Sequence, residues 1–140
     1  MVSVYYEDLQ LGQSASMEKT VTERDVQIFG ESTGDLNPVH FDDGYARSTI
    51  FRGRVAHGAL SIGFISAVIG MKLPGAGTIF VSAHTDFKAP VRIGDTVVTT
   101  CTIKEIRERR QVVLDCICKV GDTIVVTGEA QVLAPKRPKS

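Results

Sequence analysis

Residues 58–70 read Gly58-Ala59-Leu60-Ser61-Ile62-Gly63-Phe64-Ile65-Ser66-Ala67-Val68-Ile69-Gly70, without one charged side chain. The run is apolar all round, broken only by the small residues Ser61, Gly63 and Ser66. A helix of this kind must be covered by protein on most of its sides. At about 1.5 Å per residue it spans only about 20 Å, too short to cross a bilayer. Gly70 suits a helix stop, and Pro74-Gly75 prevents the helix from resuming. The covering surface must come from the rest of the chain.

The C-terminal half supplies it as strands. Val97, Thr99, Cys101 and Ile103 alternate with polar or weakly polar neighbours. So do Val112, Leu114, Cys116 and Cys118, and then Ile124, Val126, Ala130 and Val132. Residues 107–110 form a charged turn, and Gly121-Asp122 suits a two-residue hairpin with positive φ at Gly121. Ile79–Phe87 reads as an earlier strand, and residues 14–21 add another. One strand, a helical middle and about four further strands make an α+β chain.

Ahead of the apolar run, Thr22-Glu23-Arg24-Asp25 has the form of a capped helix start. Val26 and Phe29 share one face of that helix, and Gly34 ends it. Pro38 is expected to forbid helix through the next stretch and to push Asn37 into extended geometry.

The 140 residues fit one domain, placed at residues 1–134 with a flexible basic tail at 135–140. A hydrophobic fraction of 43% argues against disorder. Lys plus Arg and Asp plus Glu both number 16. A nucleic-acid partner, which calls for a basic excess, is therefore not expected. Zero net charge also gives little repulsion between copies. Three cysteines without a CxxC pair give neither a disulfide framework nor a zinc site. Residues 1–18 lack the apolar run of a signal peptide, so the expected compartment is the cytoplasm, with no membrane span.

Two stretches could carry chemistry. In residues 32–42, Asp35 and His40 stand five apart, about 140° around a helix, too far to act together on one. A turn at Pro38 can aim both into one cleft, where an imidazole and a carboxylate hold and activate a water. The same residues also suit a loop in which Asp35 and Asn37 make Asx-turns and His40 is incidental. In residues 53–59, Ala56-His57-Gly58 leads straight into the apolar helix. The first N–H groups of a helix lack partners and carry the positive end of its dipole, so the Gly58 N–H could stabilise an oxyanion. Gly58 could equally be a simple cap, and His57 is read as a structural, hydrogen-bonded histidine.

Gly34-Asp35-x-Asn37-Pro38-x-His40-x-Asp42 followed by Ala56-His57-Gly58 resembles the signature of MaoC-like (R)-specific enoyl-CoA hydratases. The similarity extends through residues 73–77, 87–95 and 127–130, most of the chain. The resemblance implies a single hot dog fold, a curved antiparallel sheet wrapped around one long buried helix. It implies addition of water to a trans-2-enoyl-CoA to give an (R)-3-hydroxyacyl-CoA, in fatty-acid metabolism, β-oxidation or polyhydroxyalkanoate synthesis. Asp35 and His40 would activate the water, and the Gly58 N–H would bind the thioester oxygen. Asn37 would shape the turn, and Ser66 and His57 would support the site. Phe64 and Ile69 are candidates for the acyl slot, with Val68, Phe29 and Phe51 behind them. Arg54 is a candidate for the CoA phosphates, among Arg47, Arg52, Lys72, Lys88 and Arg92. No separate cofactor and no metal are expected, since CoA belongs to the substrate. Hot dog units usually pair, so a homodimer or dimer of dimers is expected.

Other activities fit the same fold. A dehydratase acting on an acyl carrier protein would use the same Asp35 and His40. A thioesterase is disfavoured because residues 58–70 contain no Asp or Glu. A non-catalytic acyl-CoA binder would need a lost catalytic group, and none is lost. A metal site on His40, His57 and His84 lacks close ligand spacing.

Overall fold

A computed structural model describes residues 3–139. The apolar run forms a helix over Gly58–Met71, one residue past Gly70. Its end is closed by the amides of Lys72 and Leu73 on the Val68 carbonyl and of Gly75 on Ile69. Among the described residues three shorter α-helices and a 3-10 turn over Tyr6–Asp8 precede it, so that in chain order α1 is Glu23–Thr33, α2 Pro38–Phe41, α3 Asp43–Arg47 and α4 Gly58–Met71. The strands are β1 (Ser14–Thr20), β2 (Ile79–Phe87), β3 (Thr96–Ile106), β4 (Gln111–Val120) and β5 (Thr123–Leu133). They make one antiparallel sheet in the order β1-β3-β4-β5-β2.

The alternation read from the sequence sets which residues face α4. Val97, Cys101, Ile103, Val112, Leu114, Cys116, Cys118, Ala130 and Val132 are buried with Ile65, Val68 and Ile69 of α4 in one core. This is the hot dog arrangement. Ile124 departs from the reading and is exposed. The β4–β5 register slips between Cys118 and Lys119, so Val125 and Val126 both turn inward and Ile124 is displaced. All three cysteines are free and buried.

One sheet covers one side of a helix. Gly58, Ala59, Gly63 and Ser66 of α4 remain exposed, and so does the edge strand β2 with Ile79, Phe80, Val81 and Phe87. The coverage on most sides that an all-apolar helix requires is therefore incomplete in the single chain. The tail is not loose throughout. Tyr6 donates its amide to the Pro135 carbonyl, and Arg137 pairs with Asp8 and donates its amide to Glu7. Ser140 lies outside the described residues.

Candidate active site

Thr22 and Asp25 make the reciprocal bonds of a capping box, at 3.1 and 2.9 Å, and fix the start of α1. At its other end Gly34 adopts φ 82°, a left-handed conformation that turns the chain sharply. Asp35 and Asn37 then build the bend: Asp35 Oδ1 accepts from the Asn37 amide at 3.3 Å and Asn37 Oδ1 from the Val39 amide at 3.2 Å. Asn37 is non-helical, at φ −54° and ψ 126°, but Pro38 does not forbid helix. It opens α2 from the first position, where a missing N–H costs no hydrogen bond. The Asx-turns and a functional His40 are thus compatible, because the turns carry His40 inward on α2.

His40 is 9% exposed and its Nδ1 lies 2.7 Å from the Val55 carbonyl. A carbonyl only accepts, so Nδ1 carries the hydrogen and Nε2 is left as a bare acceptor. Burial holds the His40 pKa below its ordinary value; the Val55 carbonyl opposes that shift and the neighbouring His57 adds to it. The ring is therefore a neutral base at pH 7. Its main chain is pinned too, since Arg54 Nε donates to the His40 carbonyl at 2.7 Å.

His57 is 2% exposed and precedes α4 as its N-cap. Its Nε2 lies 2.9 Å from the Asp35 carbonyl, so it ties the Asp35 bend to the start of α4. Its ring stacks on His40 with centroids 3.9 Å apart, and Phe29 lies 4.7 Å from it on another side. The Asp35 carboxylate and the His40 and His57 nitrogens fall within 4.8 Å of one another. Asp35 itself is exposed. The two rings are stacked with an interplanar angle of only 31°. The fold thus brings His40 and His57 together with Asp35, a proximity the sequence spacing did not suggest, and leaves His84 outside the cluster.

A cavity of about 370 Å³ opens beside these groups. Asn37, Val39, His40, Phe51, Val55, Ala56, His57, Gly58, Ser61, Phe87, Lys88, Ala89, Pro90, Val91 and Val126 line it. Gly58 opens α4, so its amide has no carbonyl within the helix to bond. A Cβ at Gly58 would stand 3.0 Å from the Phe87 ring, so a side chain there requires the exposed ring to give way by a few tenths of an ångström.

The chain matches the MaoC-like domain family over residues 9–128. It belongs to the MaoC-like family. It is 48% identical over 134 residues to an (R)-specific enoyl-CoA hydratase of Rhodospirillum rubrum, covering 95% of this chain and 93% of that protein. It is 44% identical over 138 residues to a 3-hydroxybutyryl-CoA dehydratase of Methylorubrum extorquens, covering 98% and 88%. The solved structure of the R-hydratase PhaJ1 from Pseudomonas aeruginosa superposes with a TM-score of 0.91 at 38% identity, covering 96% and 88%. Like these hydratases and dehydratases, the MaoC-like chain is a hydro-lyase.

Within this MaoC-like domain, Asn37, His40, His57, Gly58 and Phe51 meet at the cavity, with the Asp35 carboxylate close by. Phe64 and Ile69 do not line it. Ile69 stands eleven residues beyond Gly58, about 16 Å along the helix, and is core; Phe64 packs against the same core. Ser66 lies exposed on α4, does not line the cavity and makes no hydrogen bond to the Asp35 bend. Arg54 faces the protein, bonded to His40 and paired with Glu23 at 2.8 Å. Arg92 is likewise engaged, donating to the carbonyls of Phe51, Gly53 and Arg54 at 2.6, 3.2 and 3.4 Å. Lys72 donates to the Ser16 carbonyl at 2.7 Å. Lys88 alone of the six cations lines the cavity, exposed and without an ion pair among the described residues. Sequence reading missed the walls made by Phe87, Pro90 and Val126. Their one signal is the pairing of Phe87 with Val126 across β2 and β5, which needs the register.

Proposed function

We propose that the chain is an (R)-specific enoyl-CoA hydratase that adds water to a trans-2-enoyl-CoA, and that it runs the reverse dehydration from the same site. The observation that carries this reading is a neutral His40 base with a bare Nε2, set beside the Asp35 carboxylate and the free amide of α4. Water is held between Asp35 and His40, and its oxygen bonds to C3 as one proton passes to this pair. The electrons of the double bond shift through C2 to the thioester oxygen, where the Gly58 N–H and the helix dipole stabilise the developing enolate. The proton then returns to C2 from one member of the pair, which restores the site. The apolar cavity walls suit an acyl chain, and Lys88 suits a phosphate of CoA at the mouth.

The test is turnover of Asp35→Asn and His40→Gln on crotonyl-CoA. Each variant keeps its fold and loses most of its kcat, by about 10²–10⁴-fold. Near-normal turnover in either rejects its role, and release of free CoA, read with a thiol reagent, indicates a thioesterase instead.

The exposed small-residue face of α4 and the apolar edge β2 support a homodimer built on them. The free thiols suit a reducing cytoplasm, where acyl-CoA is made and consumed. Among the described residues no helix is long and apolar enough to cross a membrane. An (R)-3-hydroxyacyl-CoA product leads to polyester synthesis or β-oxidation.

A further inference from the structure

Ser61 is the one side-chain hydroxyl in the cavity wall. It is 3% exposed, and no hydrogen bond of its hydroxyl to a described residue is seen. A helical serine commonly bonds back to the carbonyl four residues earlier, here that of His57. That carbonyl receives the Leu60 amide at 3.1 Å, and no bond to it from the Ser61 hydroxyl is seen. Among the described residues the buried side-chain polar atom without a partner is His57 Nδ1, not Ser61 Oγ, so the Ser61 hydroxyl reaches the cavity that it lines, where a ligand oxygen can meet it.

The helix geometry shows where that partner would be. Each Cα–Cβ bond on a helix tilts toward the N-terminus, and residues three apart are neighbours on one face. Ser61 therefore leans over the first turn of α4, toward Gly58. Gly58 brings no side chain between them, and both residues line the same cavity. The Ser61 O–H and the Gly58 N–H thus converge on one volume. An oxygen placed there gains a second donor beside the amide. An enolate oxygen has more than one lone pair to satisfy, and in a site of low dielectric each donor aimed at it counts for more than in water.

We infer that Ser61 is a catalytic residue, a second hydrogen-bond donor to the thioester oxygen as it gains enolate character. Its hydroxyl keeps its proton throughout; no bond to Ser61 forms or breaks. This rests on the hydratase reading above. A donor aimed at the enolate acts more strongly in the transition state than on the bound substrate, so its loss falls on kcat rather than on KM.

The experiment compares the full-length chain with Ser61→Ala, which suits a helix and leaves the core intact. On crotonyl-CoA the variant is expected to lose about a hundredfold in kcat with little change in KM. A second reading uses acetoacetyl-CoA, whose enolate absorbs in the near ultraviolet. The unaltered protein raises the bound enolate fraction at a fixed pH, and Ser61→Ala raises it less. Unchanged kcat, a loss confined to KM, or an unchanged enolate fraction overturns the role of Ser61. An unaltered protein that hydrates no enoyl-CoA overturns the hydratase reading instead.

Discussion

His40 owes its chemistry to a single carbonyl. Val55 takes the Nδ1 hydrogen and so leaves Nε2 as the base. Burial lowers the pKa of the ring below the usual 6.5 of histidine. As pH falls below 6.5 the unfolded chain takes up a proton that the folded chain still refuses. Stability therefore declines across that window, down to the folded pKa. The acid limb of kcat/KM reports the same group in the free enzyme and is expected to lie below 6.5. A limb centred at or above 6.5 would contradict the neutral-base assignment. Gly58 makes a second prediction at this scale. In Gly58→Ala the methyl meets the Phe87 ring at the mouth of the oxyanion site. The exposed ring can yield, so the fold survives while kcat drops at least tenfold; an unimpaired variant would remove Gly58 from the mechanism. Asn37, His40 and Gly58 could be placed near one cavity, with Asp35 beside it, because each stands within a few residues of a proline turn or a helix start, while their roles were implied only by the family resemblance. Ser61 could not be placed there, since only the packing shows which face of α4 meets the cavity.

Arg92 belongs to the scale of elements. Its guanidinium bridges the carbonyls of Phe51, Gly53 and Arg54, and the Val91 carbonyl beside it accepts the Ala56 amide at 2.7 Å. This segment delivers the Val55 carbonyl to His40 and the start of α4 to the cavity. Arg92 is thus a positioning residue. Arg92→Ala is expected to lower kcat about ten- to a hundredfold, through misplacement on the order of 1 Å, and to move the acid limb of the pH profile. Arg92→Lys restores little, because a single ammonium cannot span three carbonyls. Wild-type kcat and an unmoved acid limb in Arg92→Ala would reduce it to a surface brace. The strands were legible from alternation, since one face of the sheet is buried against α4. The β4–β5 slip that exposes Ile124 was not, because a bulge leaves residue types unchanged and alters only their pairing. The one-turn helix at Pro38 was hidden by the same residue that starts it.

For the whole molecule, the charge balance and the apolar surface point the same way. A chain of zero net charge leaves the edge strand β2 and one face of α4 uncovered. Light scattering is expected to give twice the chain mass or a multiple of it, and a monomer at micromolar concentration would contradict the pairing. The balance also leaves room for local recognition, since Lys88 at the cavity needs no global basic excess. The α+β class was legible from one uncharged helix and alternating strands, and the hot dog architecture from the family resemblance, whereas the cavity was not, because its walls come from segments far apart in sequence. The central claim, an acid–base pair that hydrates an enoyl thioester, is tested most directly by mixing the purified protein with crotonyl-CoA and resolving the product on a chiral column. The expected result is loss of the enoyl absorbance with (R)-3-hydroxybutyryl-CoA as the product. No loss of absorbance, or a product of the opposite hand, would contradict it.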